Sequence, residues 1–331
     1  MLKKSILILI VNFSFFCHLF AGDKLDLSLN LKVGDTYKIS IPMQVPTNMD
    51  ISMSKESIQQ LLGFQDTILS QNDSFNIDTS TIEQFSQKIK LDMQLNIVFM
   101  VKVLEHNKNN YLFELYFDEL SYYSKQDSTE VRFNSKSTSN KIPDKNRTEF
   151  NNLKKIIGQK FLVSTNQIGK ILEIQHYDKV EKLLNTKQSE ESKSNNALSD
   201  QLKAKNFENT LSDIFNILPN KPVGIGDSWT KEFIIKDEVA PYIVKTKYTL
   251  KDIEEDALLI NSMTIVYSEK PTLNQFTTDG DGSAFIRLSK SDFFAQEQNY
   301  SLKLTMKMKL LGMDMLINSD ASCVYSVKKV F

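Results

Sequence analysis

The side chains that could do chemistry in this chain are few and widely spaced. Two aspartates follow glycine in matching surroundings: Asp35 in Val33-Gly34-Asp35-Thr36-Tyr37, and Asp227 in Ile225-Gly226-Asp227-Ser228-Trp229. Two carboxylates brought within about 5–10 Å can hydrolyse a glycosidic bond, one as acid and the other as base or nucleophile. The same Gly-Asp step also turns a chain into a strand, with the carboxylate accepting from nearby backbone N–H groups. The aromatic residue three positions after each glycine favours this second reading. Gly34, Asp35, Tyr37, Gly226, Asp227 and Trp229 are therefore read as a repeated structural motif, with Tyr37 and Trp229 as core plugs.

Other candidates fail on spacing. Asp279-Gly280-Asp281-Gly282-Ser283 opens like a calcium loop, but such a loop closes on an acid at its twelfth position, where this chain has Lys290. Asp279–Ser283 is instead read as a glycine-rich turn. His106 and His176 have no nearby cysteine or acid cluster, and a metal site needs several converging ligands. No Gly-x-Ser-x-Gly elbow, phosphate-cradling loop or dinucleotide fingerprint occurs. The sequence therefore assigns no catalytic residue, no metal and no cofactor.

The N-terminus carries an address. Met1-Leu2-Lys3-Lys4 leads into an Ile6–Phe16 stretch that is apolar except for Asn12 and Ser14, followed by Leu19-Phe20-Ala21. A basic start, a short apolar run and a small residue at the cut site describe a secretory signal, residues 1–21, with the mature chain starting near Gly22. A lipid anchor on Cys17 ranks second, because Phe16 and Ser14 stand where small and Leu-like residues are expected. No later stretch reaches the roughly 20 apolar residues of a transmembrane helix. Removing the signal leaves 38 basic and 41 acidic residues, a balance that gives no electrostatic case for a nucleic-acid partner. Cys323 would then be the one remaining cysteine, unable to form an internal disulfide, and reads as a small buried strand residue.

The elements that must position these residues are mostly strands. Leu91, Met93, Leu95, Ile97, Phe99, Val101 and Val103 alternate with more polar neighbours, as in a long half-buried strand. A turn at Glu105–Asn110 leads to a return strand carrying Tyr111, Phe113, Leu115 and Phe117 on one face. Tyr242–Ile253 and Leu258–Tyr267 repeat this grammar, as do Leu302–Leu310 and Met313–Val330 around Gly312. The Gly-Asp motifs open the strands Tyr37–Val45 and Trp229–Ile235, and Val103-Leu104-Glu105 aligns with Asp252-Ile253-Glu254. Ser54–Ser70 and a long segment from Tyr177 to Leu218 show helical stripes, while Ser124–Phe150 is polar and reads as a loop.

Three motifs together resemble one family. They are Leu29-Asn30-Leu31-Lys32-Val33-Gly34-Asp35-Thr36-Tyr37, then Ile168-Gly169-Lys170-Ile171-Leu172-Glu173-Ile174, then Leu218-Pro219-Asn220-Lys221-Pro222-Val223-Gly224-Ile225-Gly226-Asp227-Ser228-Trp229. Their order is similar to that of the exported bacterial proteins grouped as domain of unknown function 6263. The resemblance implies export and a shared architecture, and carries no activity, substrate or site residue.

The expected fold is α+β and β-dominated: one or more long, curved antiparallel sheets in two similar halves, 22–176 and 219–331, either separate or one continuous domain, with a helical connector over 177–218 packed on the sheet. Met93, Met306, Met308, Met313 and Met315 on apolar strand faces suit a pliable surface for a lipid or other hydrophobic ligand. The expected function is a non-enzymatic protein of the cell envelope, periplasm or exterior that binds such a ligand or an envelope protein. A carboxylate-dependent hydrolase and a purely structural interaction module are the alternatives.

Overall fold

Alternation over so many residues can be satisfied only by strands that each keep one face out of water. In the computed structural model, which describes residues 24–54, 84–185, 197–235, 242–268, 276–310 and 313–330, they all join one sheet. The expected signal over residues 1–21, Gly22, the expected helix after Ser54 and Gly312 lie outside these described residues.

The strands are β1 Thr36–Ser54, β2 Gln84–His106, β3 Asn110–Gln126, β4 Thr129–Asn134, β5 Lys160–Asn166, β6 Ile171–Gln175, β7 Ser228–Ile235, β8 Tyr242–Ile253, β9 Ala257–Ser268, β10 Thr277–Ser289, β11 Ala295–Leu310 and β12 Met313–Lys329. Their order is β6-β5-β3-β2-β1-β12-β11-β10-β9-β8-β7, with β4 also pairing along β3. Every neighbouring pair is antiparallel, and the first strand closes on the last at the centre, Tyr37 opposite Lys329. The sheet is a single layer with β6 and β7 at its edges, so the two expected halves are arms of one sheet. The polar Ser124–Phe150 stretch is not a plain loop: β4 lies within it, Phe133 of β4 facing Tyr122 of β3.

Among the described residues four α-helices lie on one face of the sheet: α1 Arg147–Ile156, α2 Asp178–Leu184, α3 Ala197–Gln201 and α4 Ala204–Phe215. The long helix expected over 177–218 is thus three short ones. Asn185 ends α2 and Lys203, in extended backbone, restarts the helix at α4. Residues 186–196 of the expected connector lie outside the described residues.

The sheet curls around α4. Along a flat sheet β3 and β11 would lie four strand spacings apart, about 19 Å. Phe215 of α4 nevertheless sits 5.3 Å from Phe113 of β3 and 5.3 Å from Phe294 in the β10–β11 turn, measured between ring centres. The N-terminal segment stitches this closed end. Leu25 pairs with Val223, Leu29 N donates to Gln167 O, and Asn30 N donates to Asp292 O. Leu27, Leu29 and Leu31 are buried between these contacts, and the Tyr111 hydroxyl donates to Leu29 O at 2.7 Å.

Candidate functional site

The two Gly-Asp steps are matching corners. Both glycines adopt the left-handed backbone region, φ +96° at Gly34 and +89° at Gly226, which favours glycine. Gly34 N donates to Val103 O and Val103 N donates to Asp35 O; Gly226 N donates to Leu250 O and Leu250 N donates to Asp227 O. A register shift follows each partner, between Val103 and Glu105 and between Leu250 and Asp252. Val103 is therefore equivalent to Leu250, two residues from the alignment with Asp252 read from the sequence.

Each corner carboxylate is consumed locally. Asp35 accepts from Lys32 N and pairs with Lys329 Nζ at 2.8 Å, while the Tyr37 hydroxyl lies 3.3 Å from Asp35 Oδ2 and 3.3 Å from Asp292 Oδ2. Partial burial opposes ionisation, but Lys329, the Lys32 amide and Tyr37 together hold the Asp35 carboxyl below its usual range. The Gly224 amide and Lys24, 3.3 Å away, do the same for Asp227. Neither group is arranged as a proton donor near neutral pH. Tyr37 and Trp229 are both buried; the Trp229 indole donates to Ile217 O at 2.8 Å and stacks on Tyr248.

The remaining sequence candidates fall into structural places. The Asp279–Ser283 stretch lies within β10 rather than in a turn. Leu304 and Leu302 lie across Gly280 and Gly282, where a Cβ would come within 2.9 Å and 3.1 Å of their methyl groups. His106 stacks flat on Tyr111, and His176 occupies a left-handed backbone position before α2. Among the described residues no group of three or more His, Cys, Asp and Glu is placed to hold a metal. Cys323 is half-buried on the inner face, where burial, with Asp213 adding to it, pushes its thiol up to about 12.

What the sheet does build is an inner face in three zones. At the closed end the zone is dry: Phe99, Phe113, Phe117 and Phe161 are fully or almost fully buried, and Phe207 of α4 sits among Phe99, Phe117, Phe161 and Tyr177 at ring-centre distances of 5.1–6.0 Å. In the middle, on the C-terminal arm, the positions in phase with core residues Leu250 and Ile260 become hydroxyl-bearing. Tyr248 pairs with Ser262 and Thr246 with Thr264, whose hydroxyls lie 2.9 Å apart. Tyr300 pairs with Cys323, and Tyr325 lies two residues further along β12 with its buried hydroxyl unpartnered.

The third zone is the far part of the four central strands. Paired rows there read Met306-Ile317, Met308-Met315 and Leu310-Met313 across β11 and β12, then Met49-Ile89 across β1 and β2, with Ile51 and Met53 continuing β1. Met43, Met49, Met53, Met93, Met306, Met308, Met313 and Met315 all share this face, eight of the chain's 11 methionines. The opposite face of the same strands carries Gln44, Asn48, Asp50, Lys88, Lys90, Asp92, Lys303, Lys307, Lys309, Asp314 and Asp320. The inner methionines whose burial is described are half-buried, in contrast to the fully buried phenylalanines of the closed end.

The sequence reading missed Asp213, Lys231, Tyr248, Tyr300 and Tyr325. The available signal was polar residues continuing in core phase along β8 and β9, which alternation alone does not separate from a half-wet strand.

A family model described as a family of unknown function (DUF6263) matches residues 108–313. No curated protein matches the chain. Among solved structures, it aligns with one titled for lipid–protein interactions in lipovitellin at 9% identity and TM-score 0.42, covering 91% of this chain and 26% of that one. The chain thus spans about a quarter of that relative's length. An outer membrane channel from Pseudomonas putida F1 aligns at 7% identity and TM-score 0.23, covering 93% of this chain and 100% of that one. The translocator domain of an autotransporter from Neisseria meningitidis aligns at 6% identity and TM-score 0.15, covering 90% and 89%. These scores carry no argument about function. Among the described residues no helix is long and apolar enough to cross a membrane.

Proposed function

The chain belongs to the family of unknown function DUF6263, and we propose that it is a non-enzymatic binder of hydrophobic ligands that acts outside the cytoplasm. One observation carries the ligand reading: the inner face of β1, β2, β11 and β12 stays apolar and methionine-rich well past the helices, while the outer face of the same strands is polar. Methionine side chains are flexible and polarizable, and they re-pack around irregular apolar partners at little cost. A face built this way suits acyl chains better than a fixed set of polar contacts would. The basic start, the Ile6–Phe16 stretch and Ala21 support export, with Gly22 as the first mature residue. The matching corners at Gly34 and Gly226 support reading the two arms as variants of one plan.

Two measurements test this. Native mass spectrometry of protein purified from its own envelope should find a co-purifying lipid. Uptake of the apolar fluorophore N-phenyl-1-naphthylamine should be lost in a Met49→Lys/Met306→Lys variant that keeps the wild-type melting temperature. Ligand-free protein whose fluorophore uptake ignores both substitutions would remove the reading. N-terminal sequencing checks export, and an acylated Cys17 would replace a soluble mature form by an anchored one.

A second reading has its own observation. On the outer face, Met263, Ile265, Phe285 and Val324 are 71%, 49%, 40% and 53% exposed. They cluster on β9, β10 and β12 beside Lys247 and Lys251, a patch suited to an envelope protein partner. Crosslinking from a reactive group placed at position 263 would capture that partner, and cell extracts that yield no crosslink would count against it.

A further inference from the structure

The outer face of the sheet sorts its charges. Neighbouring strands β10, β11, β12, β1 and β2 place Ser283, Ser301, Ser322, Gln44 and Gln94 side by side in one register row. The row runs on to Met263 and Lys247 of β9 and β8, and at its other end to Tyr123 and Arg132 of β3 and β4. A second row lies two residues along each strand. It holds Thr249, Asn261, Phe285, Asn299 and Val324 on the C-terminal arm, then Pro42, Asn96, Ser121 and Asn134 on the other. Lys247 and Arg132 are the only charged residues in the two rows, one at each end. The flanking rows are different. One carries Lys245, Asp281, Lys303, Asp320, Asp92 and Lys125, and the other carries Arg287, Glu297 and Glu119.

A band without charge thus crosses nine strands between Lys247 and Arg132, eight strand spacings or about 38 Å. Solubility alone does not call for such sorting, since Lys303 and Asp320 stand one row away from Ser301 and Ser322 on the same strands. The polar groups of the band are uncommitted: among the described residues Asn261, Ser283, Ser301, Ser322, Gln44 and Gln94 make no side-chain hydrogen bond, and all six are exposed. Serine hydroxyls and carboxamides each donate and accept, so they can answer a partner's hydroxyls in either sense. On the C-terminal arm the band opens into a groove of about 540 Å³, lined among others by Asn261, Met263, Phe285, Asn299, Ser301 and Val324. This volume is in the usual range of small-ligand sites. The exposed Phe285 gives the groove an aromatic surface.

We propose that this band binds an uncharged polysaccharide lying across the strands, its hydroxyls meeting the serine and amide rows and one sugar ring resting on Phe285 in the groove. Charge complementarity selects the class. A nucleic acid or an acidic or basic glycan would repeat its charge along the band and find no counter-ion from β10 to β2. The shape selects an extended chain, because the band is two rows wide and nine strands long. A protein partner on Met263, Phe285 and Val324 needs only the groove end, and leaves the row from Ser283 to Gln94 without a role. The inner methionine zone takes no part, so this inference is independent of the lipid reading.

Titration calorimetry of the full mature chain tests this with three neutral probes, cellohexaose, laminarihexaose and mannohexaose, and two charged ones, hexagalacturonate and a heparin hexasaccharide. At least one neutral hexasaccharide should bind, more tightly than its own disaccharide, and without loss up to about 0.5 M NaCl. Phe285→Ala and Gln44→Glu should each weaken that binding about tenfold, while Lys307→Gln, outside the band, leaves it unchanged. Phe285 and Gln44 are both exposed, so the variants should keep the wild-type melting temperature. Binding by none of the neutral probes, binding confined to the charged ones, no gain from disaccharide to hexasaccharide, or indifference to both substitutions overturns the proposal. A protein crosslinked from position 263 that no neutral hexasaccharide displaces gives the groove to the partner reading instead.

Discussion

The two arms of the sheet meet the same helix in opposite ways. On the N-terminal arm α4 buries Phe207 against Phe99, Phe117 and Phe161, and the interface is dry. On the C-terminal arm its end is polar: Asn216 accepts from Lys231 of β7, and Asp213 lies within electrostatic reach of Tyr248 and Tyr300. Both arms use the same strand geometry and begin at equivalent Gly-Asp corners. The contacts differ because the inward phase of β8 and β9 carries Thr246, Tyr248, Ser262 and Thr264, whereas β2 and β3 carry Phe99, Phe113 and Phe117.

The largest test of this contrast is a pair of truncations. Phe207→Ala removes a fully buried ring from the dry side and should cost about 3–5 kcal/mol in urea unfolding. Tyr300→Ala, a half-buried residue of β11 on the C-terminal arm, should cost about 1–2 kcal/mol, because fewer packed contacts are lost. Equal costs would mean that the C-terminal arm is packed as tightly as the other.

The corners come next. Gly34→Ala and Gly226→Ala each force an alanine into the left-handed region, where nothing lies within 4 Å of the added Cβ, so strain alone acts. Each should lose about 1–2 kcal/mol, and by equal amounts. Unequal losses would break the equivalence of the two corners.

Asp213 gives a smaller, pH-dependent effect. Between 3.8 and about 7 the folded chain holds a proton that the unfolded chain has released, so this residue's contribution falls as pH rises through that window and is flat above it. The side chain is exposed, so solvent screens the carboxylate and leaves about 1 kcal/mol of the effect. Thermal unfolding should therefore show Asp213→Asn more stable than wild type at pH 8 and equal to it near pH 4. A difference of the same size at both values would place the effect elsewhere than in the charge.

The smallest change in stability belongs to the methionine zone. Met306→Gln on half-buried β11 should move the unfolding free energy by no more than about 0.5 kcal/mol. It should still weaken uptake of an apolar fluorophore, the opposite pairing of effects from Phe207→Ala. A large loss of stability would show that the zone is ordinary core.

Much of the sheet was readable before any coordinates. The alternation from Leu91 to Val103 and the paired runs around Glu254 and Gly312 are period-two patterns that only strands satisfy, and β2, β8, β9, β11 and β12 lie where those patterns do. Less readable was Asp279–Ser283: glycines and aspartates look like a turn locally, but here the glycines make room for Leu302 and Leu304 of a neighbouring strand. The helical stripe from Tyr177 to Leu218 was visible, whereas its breaks depend on where each short helix meets the sheet.

The sequence by itself determined which residues face inward, because side-chain alternation is a local property of each strand. It also determined the two Gly-Asp corners, because a positive φ followed by a short acceptor side chain needs no distant partner. The tertiary structure decided what the inward residues meet. Asp213 is one unremarked polar position on a short helix until the sheet curls and brings β8, β11 and β12 around it. Its raised carboxyl and the unpartnered Tyr325 hydroxyl arise from strands far apart in the chain, since desolvation depends on everything nearby in space and on nothing in the neighbouring sequence.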